Sequence, residues 1–215
     1  MEHAKIIVRS SGRANDGEVI ERAVAARSEA GRLLAEDSER VARMCHAMAE
    51  RFHLGGKLLV FGNGGSSTDA QHVAVEFVHP VIVGKRALPA LALTNDVAAI
   101  TGAANHAPFS ESFIHQLCHL AAPEDIAMGI SADGLCGNVL HALEAAHERK
   151  LLTIAFCGGD GGAIAGSDAV DFPLIVRSRD PLIVKEVQVT AYHILWELVH
   201  VFLEQPGVLQ PGFIR

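Results

Sequence analysis

Residues 58–76 read Leu-Leu-Val-Phe-Gly-Asn-Gly-Gly-Ser-Ser-Thr-Asp-Ala-Gln-His-Val-Ala-Val-Glu, and this order of residue types constrains the fold more than any other stretch. The apolar run from Leu58 to Phe61 predicts a strand in the middle of a parallel sheet. Gly62, Gly64 and Gly65 permit positive φ and close backbone approach, while Ser66, Ser67 and Asp69 suit the N-cap and first turn of a helix over 67–78. Open amides at such a helix start favour an anion. His72 and Glu76 lie four residues apart and share one helix face. They read either as a solvated pair or as an imidazole and a carboxylate aimed at a ligand that the turn holds. The turn is not a dinucleotide fingerprint, since it lacks the third glycine, and no Gly-Lys-Ser/Thr follows to make a P-loop.

The rest of the chain repeats the alternation of strand and helix. Helical periodicity over 17–35 and 37–53 predicts one long interrupted helix or a helical hairpin, ended by Gly55–Gly56. Further strands are expected at 88–93, 125–130, 151–156 and 170–176. Between them come helices over 96–104, with Thr94, Asn95 and Asp96 at its start, over 108–120, and from 134 to about 147. A short helix follows the glycines at 158–162, and a long one covers 180–204. Strands separated by helices define an α/β fold: a three-layer αβα sandwich on a five-stranded parallel sheet, preceded by a helical arm. Ligands of such folds sit off the carboxyl ends of the strands. One domain over 1–215 is expected, with a frayed tail at 1–16, the arm at 17–53 and the core at 54–205. The arm packs either on a second subunit or on its own core.

Composition removes several classes. With 215 residues and 49% hydrophobic content the chain can bury a sizeable core. A formal net charge of −7 without a basic run argues against nonspecific nucleic-acid binding. No apolar run is long enough to span a bilayer, and no apolar stretch near Met1 predicts a secretory signal. Cys45, Cys118, Cys136 and Cys157 have no C-x-x-C spacing, so they are expected as reduced cytoplasmic thiols packed as small hydrophobes. The 180–204 helix is apolar nearly all round, which predicts burial on most sides, between subunits. Its polar line, Glu186, Thr190, His193, Glu197, His200 and Glu204, is either a solvent face or a set that needs partners.

The pattern G-N-G-G-S-x-x-D-A-x-H-x-x-x-E over 62–76 resembles the SIS (sugar isomerase) domain of bacterial phosphoheptose isomerases, whose relatives include the DnaA initiator-associating protein. The resemblance extends over roughly 20–205. It implies a phosphorylated sugar of the sedoheptulose 7-phosphate kind as substrate and a cytoplasmic homo-oligomer, a tetramer. It also implies zinc held by His72, Glu76 and His193, with Glu76 as base and His193 as acid. Asn63, Gly64, Gly65, Ser66, Asp69, Asp96, Ser131 and Asp133 would line the sugar site. Aldose–ketose isomerisation asks for such groups: a carboxylate at carbon, an acid at oxygen, and a cation or donors for the developing oxyanion.

Two positions depart from the pattern. Lys185 stands where the family has a glutamine ligand, so three ligands suffice, or Lys185 itself serves as the cation, or it points outward into solvent. Residues 131–136, Ser-Ala-Asp-Gly-Leu-Cys, replace a hydroxyl-rich Ser-Thr-Ser-Gly-x-Ser loop. Here Asp133 reads as the N-cap of the next helix, or as a group that recognises hydroxyls or an amine. The alternative to an isomerase is therefore a degenerate SIS protein that binds sugar phosphates or regulates a partner.

Overall fold

Five apolar runs form five parallel strands, and the intervening polar–apolar periodicity forms the helices that cover them. The computed structural model describes residues 16–205 together with 207 and 209, so the tail expected at 1–16 lies, but for Asp16, outside the described residues. In chain order the elements are α1 (Asp16–Glu36), α2 (Ser38–His53), β1 (Leu58–Gly62), α3 (Gly65–Val78), β2 (Ala90–Ala92) and α4 (Val97–His106). A 3-10 turn (Phe109–Glu111) leads to α5 (Ile114–Leu120). Then come β3 (Ile126–Ile130), α6 (Gly137–Glu148), β4 (Leu152–Gly158), α7 (Gly162–Ala165), β5 (Phe172–Val176) and α8 (Pro181–Glu204).

The sheet order is β2-β1-β3-β4-β5, all parallel. The chain runs outward one way from β1 to β2 and the other way from β3 to β5, so the switch point lies between β1 and β3. There the loops after two neighbouring strands diverge and leave a crevice. Every residue of β1, β3 and β4 is buried. Alternate side chains feed two cores. Leu58, Val60, Met128 and Ile154 pack under α2, α3 and α8, while Leu59, Phe61, Ala127 and Ala155 pack under α5 and α6.

Several boundaries differ from the expected ones for local reasons. β2 is trimmed to three residues at the sheet edge, because Pro89 has no N–H to donate. The helix expected at 108–120 breaks, which turns Ser112 inward to accept from Asn138 Nδ2 at 3.0 Å and sets Phe113 against Phe61, centroids 5.3 Å apart. α1 and α2 are interrupted only at Asp37 and do not fold back on each other, so they form the interrupted helix rather than the hairpin. α2 buries Val41, Met44, Cys45, Met48 and Phe52 on its own chain's core. α1 buries only Ala30 and leaves Val19, Ile20 and Val24 exposed.

The expected burial of α8 is supplied in large part by its own chain: Val184, Val187, Tyr192, Leu195, Trp196 and Val199 join the core beneath α2 and α3, while Leu182 and Ile194 stay exposed. Each such apolar side chain contributes roughly 1.5–3 kcal/mol on burial. The polar line along α8 is likewise divided. Glu186 pairs with Arg27 of α1, Glu204 with Lys85, and His200 is buried between the carbonyls of Trp196 and Arg86. Cys45 and Cys157 are buried, and burial pushes both thiols up to about 12; Cys118 and Cys136 are only half-buried.

Gly62, the last residue of β1, has no room for a side chain: a Cβ would lie 2.7 Å from the Ile130 carbonyl oxygen and 2.9 Å from Ser66 Cβ. Gly62→Ala is expected to destabilise the fold by about 1–3 kcal/mol, because it wedges β1 from β3. Urea unfolding checks this, and a variant as stable as the parent would show that the contact is soft.

Candidate active site

The glycine turn is built from backbone rather than side-chain caps. Gly64 takes φ 53 and is the N-cap of α3, with no side chain bonded to the helix amides. α3 therefore starts two residues earlier than expected. Ser67 Oγ and Thr68 Oγ1 donate backward to the carbonyls of Gly64 and Gly65, both at 2.6 Å, so the Ser67 hydroxyl, a cap candidate, turns away from the helix amides. Ser66 and Asp69 are buried. Asn63 reaches across the switch point to Asn138 at the start of α6, and the two amides exchange hydrogen bonds of 2.7 and 2.9 Å.

Three contacts then join α3 to α8 in register. Lys185 Nζ donates to the Asp69 carboxylate, 2.7 Å from each oxygen, to the Gly65 carbonyl at 2.9 Å and to Thr68 Oγ1 at 3.3 Å. The Tyr192 hydroxyl lies 2.7 Å from His72 Nδ1, and Trp196 Nε1 donates to the Glu76 carbonyl at 2.8 Å. Lys185 thus points inward, against the outward alternative. Its three N–H groups are spent on the turn, and its charge is matched by Asp69, which is only 4% exposed.

One side of this seam carries two imidazoles and a carboxylate. His72 Nε2 lies 3.2 Å from Glu76 Oε1, and the rings of His72 and His193 stand edge-on with centroids 5.2 Å apart. Ligand atoms of His72, Glu76 and His193 all fall within 4.8 Å of one another, the one such group of three among the described residues. His72 and Glu76 side chains are 42% and 13% exposed, and His193 is exposed, so the cluster opens to solvent. Two imidazoles and a carboxylate with open positions form a donor set that could hold a divalent ion of the zinc type. Lys185 is not part of that set.

Beside the Asp69 end of the seam lies a cleft of about 290 Å³, lined by Asn63, Gly65, Ser66, Asp69, Lys185 and Gln188. A second lobe of about 360 Å³ adjoins it across Ala132 and Pro181 and carries Asp133, Asp160, Ser178 and Arg179. Asp133 does not cap α6, whose N-cap is Cys136. Its Oδ1 accepts instead from Leu135 N at 3.0 Å, while Ser131 Oγ accepts from Gly134 N at 3.0 Å. The loop closes on its own carboxylate and hydroxyl because a short aspartate side chain reaches an amide two residues on more easily than one in the helix. Asp96 caps α4, accepting from Ala99 N at 2.9 Å, and lines neither lobe.

Sequence reasoning missed Tyr192, Gln188 and Trp196. Gln188 is buried and donates to the Ser131 carbonyl at 3.2 Å. All three follow Lys185 at helical spacing on the face turned toward α3, and that periodicity was the available signal.

A parallel sheet of order 2-1-3-4-5 with a histidine–glutamate–histidine cluster where α3 meets α8 fits a sugar-isomerase type of α/β domain, and the SIS domain family model matches residues 9–158. A phosphoheptose isomerase from Desulfovibrio desulfuricans is 44% identical over 159 residues, 73% of this chain and 74% of that one. Another, from Solidesulfovibrio magneticus, is 39% identical over 86% of this chain and 87% of its own. The solved phosphoheptose isomerase of Francisella tularensis superposes with a TM-score of 0.80 at 31% identity, covering 86% of this chain and 98% of that one. The chain belongs to the phosphoheptose isomerase family of SIS-domain proteins, and with it to the isomerases. No helix among the described residues is long and apolar enough to cross a membrane.

Lys185→Met is expected to lower the unfolding free energy by about 2–4 kcal/mol, because Asp69 stays buried without its counter-charge. Adding Asp69→Asn should recover part of the loss. Denaturant titration of the two variants checks this, and a single variant as stable as the parent would refute the tie.

Proposed function

We propose that this protein interconverts the ketose and aldose forms of a phosphorylated sugar of the sedoheptulose 7-phosphate kind. The observation that carries the reading is the convergence of His72, Glu76 and His193 where α3 meets α8. Starting from the ketose, Glu76 takes a proton from C1 to give an enediol and returns it to C2. His193 gives a proton to the C2 oxygen and accepts one from the C1 hydroxyl, so the proton count closes. In the metal-free protein His72 holds Glu76 in place through its Nε2. Zinc, held by His72, Glu76 and His193, would supply a Lewis acid that polarises the carbonyl oxygen. Asn63, the amides of Gly64 and Gly65, Ser66, Asp69 and Ser131 shape the cleft for the sugar, with Lys185 fixing its floor.

The wider reading is a single SIS domain over 1–215 that works as a cytoplasmic homotetramer. Free thiols fit a reducing compartment. An apolar groove of about 290 Å³ between α1, α2 and α8, lined by Leu34, Val41, Ala191, Ile194 and Leu198, fits burial of the exposed α1 stripe against another copy.

Metal analysis of the purified protein, paired with a sedoheptulose 7-phosphate turnover assay, tests the proposal. Glu76→Gln should lower turnover by on the order of 10³-fold while the sedimentation profile stays unchanged. Undiminished turnover in that variant would remove Glu76 as the base, and no turnover in the zinc-loaded parent would remove the substrate assignment.

A further inference from the structure

Tyr192 is the chain's one tyrosine and is 1% exposed, yet its hydroxyl is aimed at a candidate ligand rather than at a backbone group. Its ring stands edge-on to both histidines of the cluster, with centroids 5.4 Å from His72 and 4.9 Å from His193. An ordinary phenol is an O–H at neutral pH and can both donate and accept. The Glu76 carboxylate only accepts hydrogen bonds. With His72 neutral, Nε2 therefore carries the ring proton toward Glu76, and Nδ1 accepts from the Tyr192 hydroxyl.

That arrangement is the reverse of what a metal ligand needs. For Nε2 to offer a lone pair, the ring proton must sit on Nδ1, and the group facing Nδ1 must then accept. A hydroxyl can do both by rotating, whereas an amide N–H, an ammonium or a carboxylate can do only one. We propose that Tyr192 is a positioning residue for the isomerase site. Its hydroxyl holds the His72 ring in place and lets the ring pass from the Nε2–H tautomer of the ligand-free protein to the Nδ1–H tautomer that frees Nε2 for a metal. The inference rests on the metal reading of the proposed function, but it can be judged separately.

Tyr192→Phe keeps the buried ring and removes only the oxygen. Competition with a chromophoric chelator should show zinc affinity 10–100-fold weaker than the parent, with thermal midpoint and sedimentation close to the parent. In the metal-free parent, ¹⁵N signals of the His72 ring should report a proton on Nε2, and in the variant a mixture of the two tautomers. Equal zinc affinity in parent and variant would overturn the proposal, as would a parent ring carrying its proton on Nδ1 or an unchanged tautomer in the variant. If the parent takes up no zinc, the metal reading falls, and the ring nitrogen signals alone decide whether Tyr192 sets the tautomer.

Discussion

The ammonium of Lys185 and the carboxylate of Asp69 sit 2.7 Å apart at the meeting of two segments more than a hundred residues apart in sequence. Asp69 is buried on the first turns of α3, so its charge needs a partner inside the protein. The Gly65 carbonyl at the turn accepts at the same point, from Lys185 Nζ as well as from Thr68 Oγ1. Lys185 serves both, because an ammonium carries three donors and no acceptor. Once this end is fixed, the parallel run of α3 and α8 brings Tyr192 to His72 and Trp196 to the Glu76 carbonyl. His193 follows as the neighbour of Tyr192, on the side of α8 that faces water.

Sheet topology decides where that seam ends. Because β1 and β3 feed loops that diverge, the turn after Gly62 and the loop after Ile130 flank one crevice. The Asn63–Asn138 pair closes the base of that crevice, and Gly62 lets the two strands approach to a separation that no side chain would allow. The polar site therefore stands on a floor that is buried throughout and carries little backbone freedom. A proton-transfer site benefits from such a floor, since small displacements of base or acid are costly.

Much of the architecture was legible in the sequence. The strands are short apolar runs, β1 ending in the Gly62–Gly65 turn and β4 in the glycines at 158–162, and α2 carries a period that only a helix satisfies. The pairing of His72 with Glu76 follows from their spacing alone. The arrival of His193 did not: no local rule places a residue of the last helix beside the first strand's loop, and the resemblance supplied it. Lys185 remained open between three roles because its partner, Asp69, is distant in sequence. Asp133 was misplaced because an aspartate next to a helix reads as a cap, and only the geometry of the Ser131 loop shows its carboxylate turned onto Leu135 N. Tyr192 was overlooked because a lone aromatic in an apolar helix reads as core, which its ring is; only the hydroxyl is not.

The lysine at position 185 bears on the electrostatics of the cluster as well as on the seam. A bare ammonium on the α3–α8 seam would oppose a divalent cation held by the cluster. Asp69 holds both of its oxygens against that ammonium, so the pair presents a dipole rather than a net charge. Glu76 then remains the one carboxylate among the three donors, which leaves the cluster attractive to a cation. Lys185 therefore offers the cluster no ligand and, paired with Asp69, does not reverse its field. Any cation held there would rest on His72, Glu76 and His193, which makes the orientation of each imidazole matter.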